Sequence, residues 1–412
     1  MKQFLFLFFI LMLKLPVFCQ QKTLNDYMNA GIQNSPLLKD FNNRRLANII
    51  DSLRIIASYK PLVAGVSNNT YAPSVNGWGY DGAITNGANV SELITVNKRL
   101  VSKENLNNQH EAIRLLNESL SLSGKITVLD LKKSITAQYI TTYGVWQQYQ
   151  FNNEMLGLLK KEELILKKLT EKTVYRQTDY LSFLVTIQQQ ELTISQINIQ
   201  FQNEFASLNY LCGIKDTIAT PLAAPALEPI DIAEAESTVF YKQFTVDSLK
   251  NKNASEQIEY SYKPKVNLYA DGGYLSSFAE QPYKNFGVSA GVNITVPIYD
   301  GNQKKMQHDK ISIAEQTRQS YRDFFKKQYD QQTAQLSQQL NSTQQLINQA
   351  TAQLKYTETL IDANRKLLET GDLRMADYIL SISSYLNAKN IITQSNINKL
   401  QLINQLNYWN RK

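Results

Sequence analysis

Cysteine, histidine and methionine are scarce in this chain, and each scarcity removes a class of chemistry. Among 412 residues there are two cysteines, two histidines and six methionines. Cys19 lies in a leader-like N-terminal stretch, so Cys212 stands alone beyond it and no intrachain disulfide can form there. Cys212 reads as a small apolar residue near a helix end. Two histidines and one cysteine leave little for a metal site or a nucleophile. No Gly-rich phosphate loop precedes a helix, and no Ser-His-Asp pattern stands out. The chain is expected to be no enzyme and to hold no cofactor or metal. Charge is mild: the net +7 falls to +5 once Lys2 and Lys14 leave with the leader. Its basic residues are dispersed, which excludes nucleic acid as a partner.

Long hydrophobic runs are lacking as well. Phe4 to Leu13 is apolar, but ten residues fall short of the ~20 that a membrane-spanning helix needs. With Met1-Lys2-Gln3 as a basic start and Val17-Phe18-Cys19 before Gln20, residues 1–19 read as a secretory signal. Two other readings remain: a buried helix, and a lipid-modified Cys19, against which bulky Phe18 stands. Beyond the leader no run reaches spanning length. A chain of this kind enters a membrane only as a closed barrel.

What the chain does contain, it contains twice. Ser58-Tyr59-Lys60-Pro61 returns as Ser261-Tyr262-Lys263-Pro264, 203 positions later. Gln109-His110 returns as Gln307-His308, Asp179-Tyr180-Leu181 as Asp377-Tyr378-Ile379, and Leu208-Asn209-Tyr210 as Leu406-Asn407-Tyr408, all at 198. A period this long marks a duplicated half-molecule. The first repeat is expected over 20–215 and the second over 237–412, with a Pro/Ala-rich linker at 216–236.

Proline is absent between Pro73 and Pro221 and again after Pro297. Since proline breaks helix interiors, residues 101–211 and 302–410 are expected to form two pairs of long helices. Leu340, Ile347, Leu354, Ile361 and Leu368 recur every seven residues. Their companions, Leu336, Thr343, Ala350, Thr357 and Asn364, are mostly small or polar. Gln- and Asn-rich faces beside this seam suit a helix with water on one side.

Strand-like blocks precede each helical pair, over 62–97 and 265–298. Phe286, Val288, Ala290, Val292, Ile294, Val296 and Ile298 alternate with small or polar residues across thirteen positions. That period of two is the pattern of a barrel strand with an apolar outside and a polar lumen. Phe286, Val288, Val292, Ile294 and Val296 are the candidate lipid-facing residues. Lys265 to Leu275 is the hairpin partner. Tyr269, Tyr274, Phe278, Tyr283, Phe286 and Tyr299 are expected at strand ends, as interfacial girdles. In the first repeat Leu62 to Thr70, then Ile84, Ala88, Val90, Ile94 and Val96, form a less regular pair. A soluble sandwich could use the same alternation. Four strands per chain cannot close a barrel, because barrels start at ~8 strands.

The chain resembles the TolC-type outer-membrane efflux proteins. The resemblance rests on Thr23-Leu24-Asn25-Asp26-Tyr27 to Pro36, on Val296-Pro297-Ile298-Tyr299-Asp300-Gly301, and on Glu369-Thr370-Gly371 followed by Ala376-Asp377-Tyr378-Ile379 and Leu386-Asn387-Ala388-Lys389. It implies a mainly α fold with β: a homotrimer whose α-helical tunnel is topped by a 12-stranded transmembrane β-barrel, four strands from each chain. It also implies an outer-membrane location with a periplasmic extension, a periplasmic adaptor and an inner-membrane transporter as partners, and small molecules rather than proteins as cargo.

Gly371 marks the turn between the last two helices, since glycine costs about 1 kcal/mol inside a helix. The family's acidic ring after this turn falls on Asp377. Its second acid falls on Leu380, and the basic residue that ties the closed tip falls on Leu373, next to Arg374. Asp377, Asp372, Arg374 and Asp179 are thus the candidate constriction residues. The competing reading makes Asp372, Asp377 and Asp179 helix N-terminal acids that favour the dipole. An alternative for the whole chain is a periplasmic coiled-coil adaptor without membrane insertion.

Overall fold

The computed structural model describes residues 22–80, 87–216, 218–278 and 281–410. The expected leader with Cys19, and Ile84, lie outside the described residues. In chain order the elements are α1 (Leu24–Asn34), α2 (Pro36–Ser58), β1 (Leu62–Tyr71), β2 (Ala88–Leu100), α3 (Lys103–Glu171), α4 (Gln177–Cys212), α5 (Val239–Ser261), β3 (Lys265–Ser276), β4 (Phe286–Thr295), α6 (Gln303–Thr370) and α7 (Met375–Trp409). The four longest helices fill the two proline-free tracts, and α3 and α6 run unbroken for 69 and 68 residues. Pro36 opens α2 at its first position, where the missing N–H removes no helical bond. Among the described residues no helix is long and apolar enough to cross a membrane.

The chain forms two compact units. A helical unit comprises the chain up to Leu38, Ile126–Thr238, and the chain from Gln328 on. It has two cores. One gathers Leu24, Tyr27, Ile135, Tyr139, Phe201, Phe205, Leu208, Cys212 and Leu222. The other gathers Met155, Leu159, Leu166, Tyr175, Phe183, Ile187, Ile361, Leu368, Met375, Tyr378 and Ile382. The stretch between α4 and α5 has one 3₁₀ turn, Ala235–Ser237. Side chains tie down its backbone: Asn407 accepts from the Ile230 N–H at 2.8 Å and donates to the Glu228 carbonyl at 2.8 Å. Tyr329 and Tyr139 donate to the carbonyls of Ala233 and Ala223. An irregular segment needs such partners, because its backbone polar groups have no ladder of their own.

The heptad on α6 is used differently from its apolar reading. Leu340, Ile347 and Leu354 are only half-buried, whereas the companion positions Leu336, Ala350 and Thr357 are buried. Thr357 donates its hydroxyl to the Leu354 carbonyl at 2.8 Å, which satisfies its polar group where the side chain is buried. Only toward the turn do Ile361 and Leu368 of the apolar heptad become fully buried.

The second unit comprises Lys39–Lys125 and Val239–Lys327. Its sheet is an antiparallel meander in the order β1-β2-β3-β4. Leu62 pairs with Asn97 in the first hairpin, and Lys265 with Thr295 in the second. Adding 203 to the first strand and 198 to the second converts one pairing into the other, so the duplication extends to strand register. It extends to side chains too. Ser52 bonds His110 Nδ1 at 2.9 Å, and its mate Ser255 bonds His308 Nδ1 at 3.1 Å.

β2 runs to Leu100, past the expected end at 97, and the sheet departs from expectation at two further points. β4 ends at Thr295 rather than Ile298, so Val296 lies just beyond the strand, exposed. Its partner β3 begins at Lys265, directly after Pro264, and Pro297 has no N–H to offer a ladder. Tyr269 lies in mid-strand rather than at an end. It is paired with Gly291, and a Cβ there would meet the Tyr269 ring, so the ring fills the place of the missing side chain.

Candidate functional site

The two turns that join the long helices, α3 to α4 and α6 to α7, carry the candidate constriction residues. The second turn requires a left-handed residue, and Gly371 supplies it with φ +81. It also allows close approach, since a Cβ on Gly371 would meet Val174 Cγ1 at 2.5 Å. Asp372 is exposed just after it, its N–H bonded to the Leu367 carbonyl. Arg374 is the N-cap of α7 and Asp377 the third residue of that helix. Their side chains meet: Arg374 Nε lies 2.8 Å from Asp377 Oδ2, and a second guanidinium nitrogen lies 3.2 Å from Oδ1. Asp179 occupies the matching place on α4 but accepts from the backbone N–H of Arg176 at 3.2 Å. The structure thus brings Arg374 and Asp377 together and keeps Asp179 for its own helix.

Three residues that the sequence reading passed over hold these turns in place. The Tyr175 hydroxyl donates to the Leu373 carbonyl at 2.9 Å and lies 3.3 Å from the Leu368 carbonyl, so the first turn is bonded to the second. Glu162 is buried on α3, with its Oε1 2.9 Å from Arg365 Nε on α6. That contact lies off the N–H direction, leaving Nε and Oε2 without a well-directed hydrogen bond. Burial pushes the Glu162 carboxyl above the usual carboxylate range, and the Arg365 charge opposes the shift. A signal for Glu162 exists in the sequence: Met155, Leu159, Glu162 and Leu166 fall on one helical stripe, and the other three are core residues.

The sheet carries the second set of candidates. Register places Phe286, Val288, Ala290, Val292 and Ile294 on the same face as Val266, Leu268, Ala270 and Tyr274. Ile94, Val96 and Leu100 of β2 share that face, with Lys98 among them. The Tyr274 and Phe286 rings pack at its loop end, tilted by 59° with centroids 5.2 Å apart. Glu92 is a second charge on this face, where it accepts from Ser67 at 2.7 Å and from Asn69 at 2.9 Å. The opposite face carries Asn97, Arg99, Asn267, Asp271, Ser289, Asn293 and Thr295, with Leu62, Val66, Leu93, Tyr269 and Leu275 among them. Large apolar side chains on the first face, Val288, Val292 and Ile294 among them, are exposed. β1 and β4 each have one neighbour, so the sheet has two open edges.

No protein-family model matches the chain, and no curated protein matches it in sequence. Solved structures do match in fold. CusC, whose crystal structures describe folding and transmembrane channel formation, aligns with a TM-score of 0.78 over 95% of this chain and 93% of its own, at 11% identity. The outer membrane protein VceC of Vibrio cholerae aligns at 0.76 over 94% and 96%, with 13% identity. The outer membrane channel CmeC of Campylobacter jejuni aligns at 0.74 over 94% and 85%, with 11% identity. Across nearly its whole length, this chain has the fold of these outer-membrane proteins.

Proposed function

We propose that the chain is a passive outer-membrane efflux channel. Three copies contribute four strands each to a twelve-stranded barrel, and the long helices form a periplasmic duct below it. An inner-membrane transporter and a periplasmic adaptor supply energy and cargo choice. The carrying observation is a four-stranded sheet with one mainly apolar face, one mainly polar face and two open edges. Such a sheet encloses nothing alone. Joined edge to edge with copies of itself, it presents the apolar face to lipid and the polar face to water, as outer-membrane barrels do. A barrel of ~12 strands leaves an aqueous lumen.

In this reading Asp377, with Arg374 beside it, narrows the helical end of the duct, and Asp372 contributes from the turn. Charged rings select ions by sign at such constrictions. Membrane fractionation with crosslinking tests the proposal: the chain is expected in the outer-membrane fraction as a trimer. A monomer recovered from the soluble periplasm overturns it.

A further inference from the structure

The charges on the polar face of the sheet are few and are sorted along its strands. Within β1 to β4 that face carries only Arg99 of β2 and Lys265 and Asp271 of β3. Arg99 pairs with Asn267, two residues from Lys265, so the two bases are diagonal neighbours on adjacent strands. Diagonal neighbours lie ~7–8 Å apart. Both bases sit where strands meet helices, since β2 ends at Leu100 and β3 begins at Lys265. Lys60 flanks the same end of the sheet, just before β1 starts at Leu62.

Nothing in the chain offsets these bases. Arg99 and Lys265 are exposed, and neither side chain is in an ion pair among the described residues. Acids that flank the strands are engaged elsewhere. Glu259 holds Lys304 at 2.7 Å and His308 at 2.9 Å. Asp300 accepts the Lys304 backbone N–H at 2.7 Å, and Glu104 interacts with the Lys103 and Lys263 charges. Asp271 lies opposite Thr95, four positions along β2 from Arg99, and is six positions along β3 from Lys265. At ~3.4 Å per residue these separations are ~14 and ~20 Å. Charges in 0.1–0.15 M salt are screened over ~8–10 Å. Asp271 is therefore too far away to neutralise either base. Like charges side by side weaken a sheet, so stability of the fold does not account for the pair.

We propose that Arg99 and Lys265 form a positive belt at the helical end of the channel lumen, favouring cargo that carries carboxylate, phosphate or sulfonate groups. The inference rests on the channel reading, which turns the polar face inward and brings the pair in from three copies. It adds to that reading the charge of the cargo. Rings of Arg and Lys line anion-conducting pores. Arg99 offers an oxyanion a planar fork and Lys265 a point charge, with the Asn267 amide beside them as a further donor. The belt is opposite in sign to the Asp377 carboxylate at the second turn, so it is a separate filter. Its reach depends on salt. The screening length is ~30 Å at ~0.01 M and ~3 Å at ~1 M. The belt therefore acts across an aqueous lumen at low salt and only at the wall at high salt.

Tripolyphosphate, an inorganic polyanion, is the probe. It is added from either side to the purified full-length protein conducting in a planar bilayer. The parent is expected to be blocked at ~0.01 M KCl, and the block to fade at ~1 M. Arg99→Gln/Lys265→Gln should need roughly tenfold more tripolyphosphate for the same block, because a charged lumen concentrates ions of opposite sign. Its reversal potential in a salt gradient should also move toward cations. Lys98→Gln removes a charge from the adjacent position on the apolar face and should be blocked as the parent is. Arg99→Lys/Lys265→Arg keeps both charges and should keep the block. Where the double Gln variant forms no channel, Arg99→Gln and Lys265→Gln are recorded singly, and each should lose part of the block. A conducting parent that tripolyphosphate leaves unchanged overturns the belt and leaves the channel reading intact. So does equal block in the parent and the Gln variants, or equal loss of block in Lys98→Gln. A parent that forms no conducting channel overturns both.

Discussion

The helical turns and the sheet of this chain are finished to different degrees. Around the turns, buried side chains from α3, α4, α6 and α7 close on one another, and even the backbone of the second turn is held by Tyr175. In the sheet, both edges are open and the large apolar residues of β4 face outward. A folded chain rarely leaves a contiguous apolar face uncovered unless something else covers it. The turns are complete in one chain, whereas in the proposed channel lipid and further copies complete the sheet. Substitutions at the turns should therefore change stability within a chain, and substitutions on the sheet should change assembly.

The largest expected effect breaks the sheet side of this comparison. Val292→Arg or Ile294→Arg should abolish the membrane trimer, because a lipid-facing arginine near the bilayer midplane costs ~2–4 kcal/mol in each copy. Asn293→Arg, on the polar face, should assemble nearly as the parent does. Quantifying trimer in the membrane fraction checks the contrast, and equal losses from 292 and 293 would mean that the faces are assigned the wrong way round.

A smaller effect concerns the buried Glu162–Arg365 pair. Removing one partner of a fully buried pair costs about 3–5 kcal/mol. Arg365 is partly exposed, so solvent screening brings Arg365→Ala to roughly 1–3 kcal/mol. Its pH dependence has a definite sign. The folded carboxyl of Glu162 is raised above its unfolded value of 4.5, chiefly by burial. Its stabilising contribution is then full below that value and is lost as pH rises through the raised one. Glu162→Gln should flatten this part of the profile. Unfolding midpoints of the detergent-solubilised protein between pH 4 and 8 provide the measurement. A parent and a Glu162→Gln profile of the same slope would show that burial does not raise the carboxyl.

Much of this architecture is legible in the residues, and the parts that are not have physical reasons. Proline placement locates the long helices because a single proline excludes a helix interior. Alternation from Phe286 locates β4 but runs to Ile298, because alternation reports which face a residue takes and pairing reports whether a neighbour is present. The α6 heptad points to Leu340 and Ile347, yet Ala350 and Thr357 are the buried positions. Apolarity measures what gains from burial, whereas the helix's place in the fold decides which of its faces meets a neighbour. Glu162 is hidden by its charge: an acid on a core stripe reads as solvent-facing until Arg365 is seen opposite. At the turns, Arg176-x-x-Asp179 and Arg374-x-x-Asp377 are the same in sequence and differ in partner, which spacing alone does not encode.

That last difference gives the smallest expected effect in stability and the sharpest in function. Asp179 accepts a backbone N–H at the start of α4, so Asp179→Ala should cost roughly 0.5–1 kcal/mol in helix capping and leave conduction unchanged. Asp377 is instead paired with the Arg374 side chain, both near the surface, and an exposed pair contributes only ~0–1 kcal/mol. Its weight lies in charge at the proposed constriction, where Arg374 offsets the carboxylate. Asp377→Ala should lower cation selectivity in a planar bilayer and weaken block by trivalent cations. Arg374→Ala should move both properties the opposite way, because it leaves the carboxylates unopposed. Leu380 supplies no second acid, so a single weak level of cation block is expected in the parent. Asp372→Ala, at the exposed turn, should do less than either. Current recordings of the four variants decide the matter. Opposite shifts at 374 and 377 support a charged ring, and parent-like selectivity in both would reduce Asp377 to the structural role that Asp179 already has.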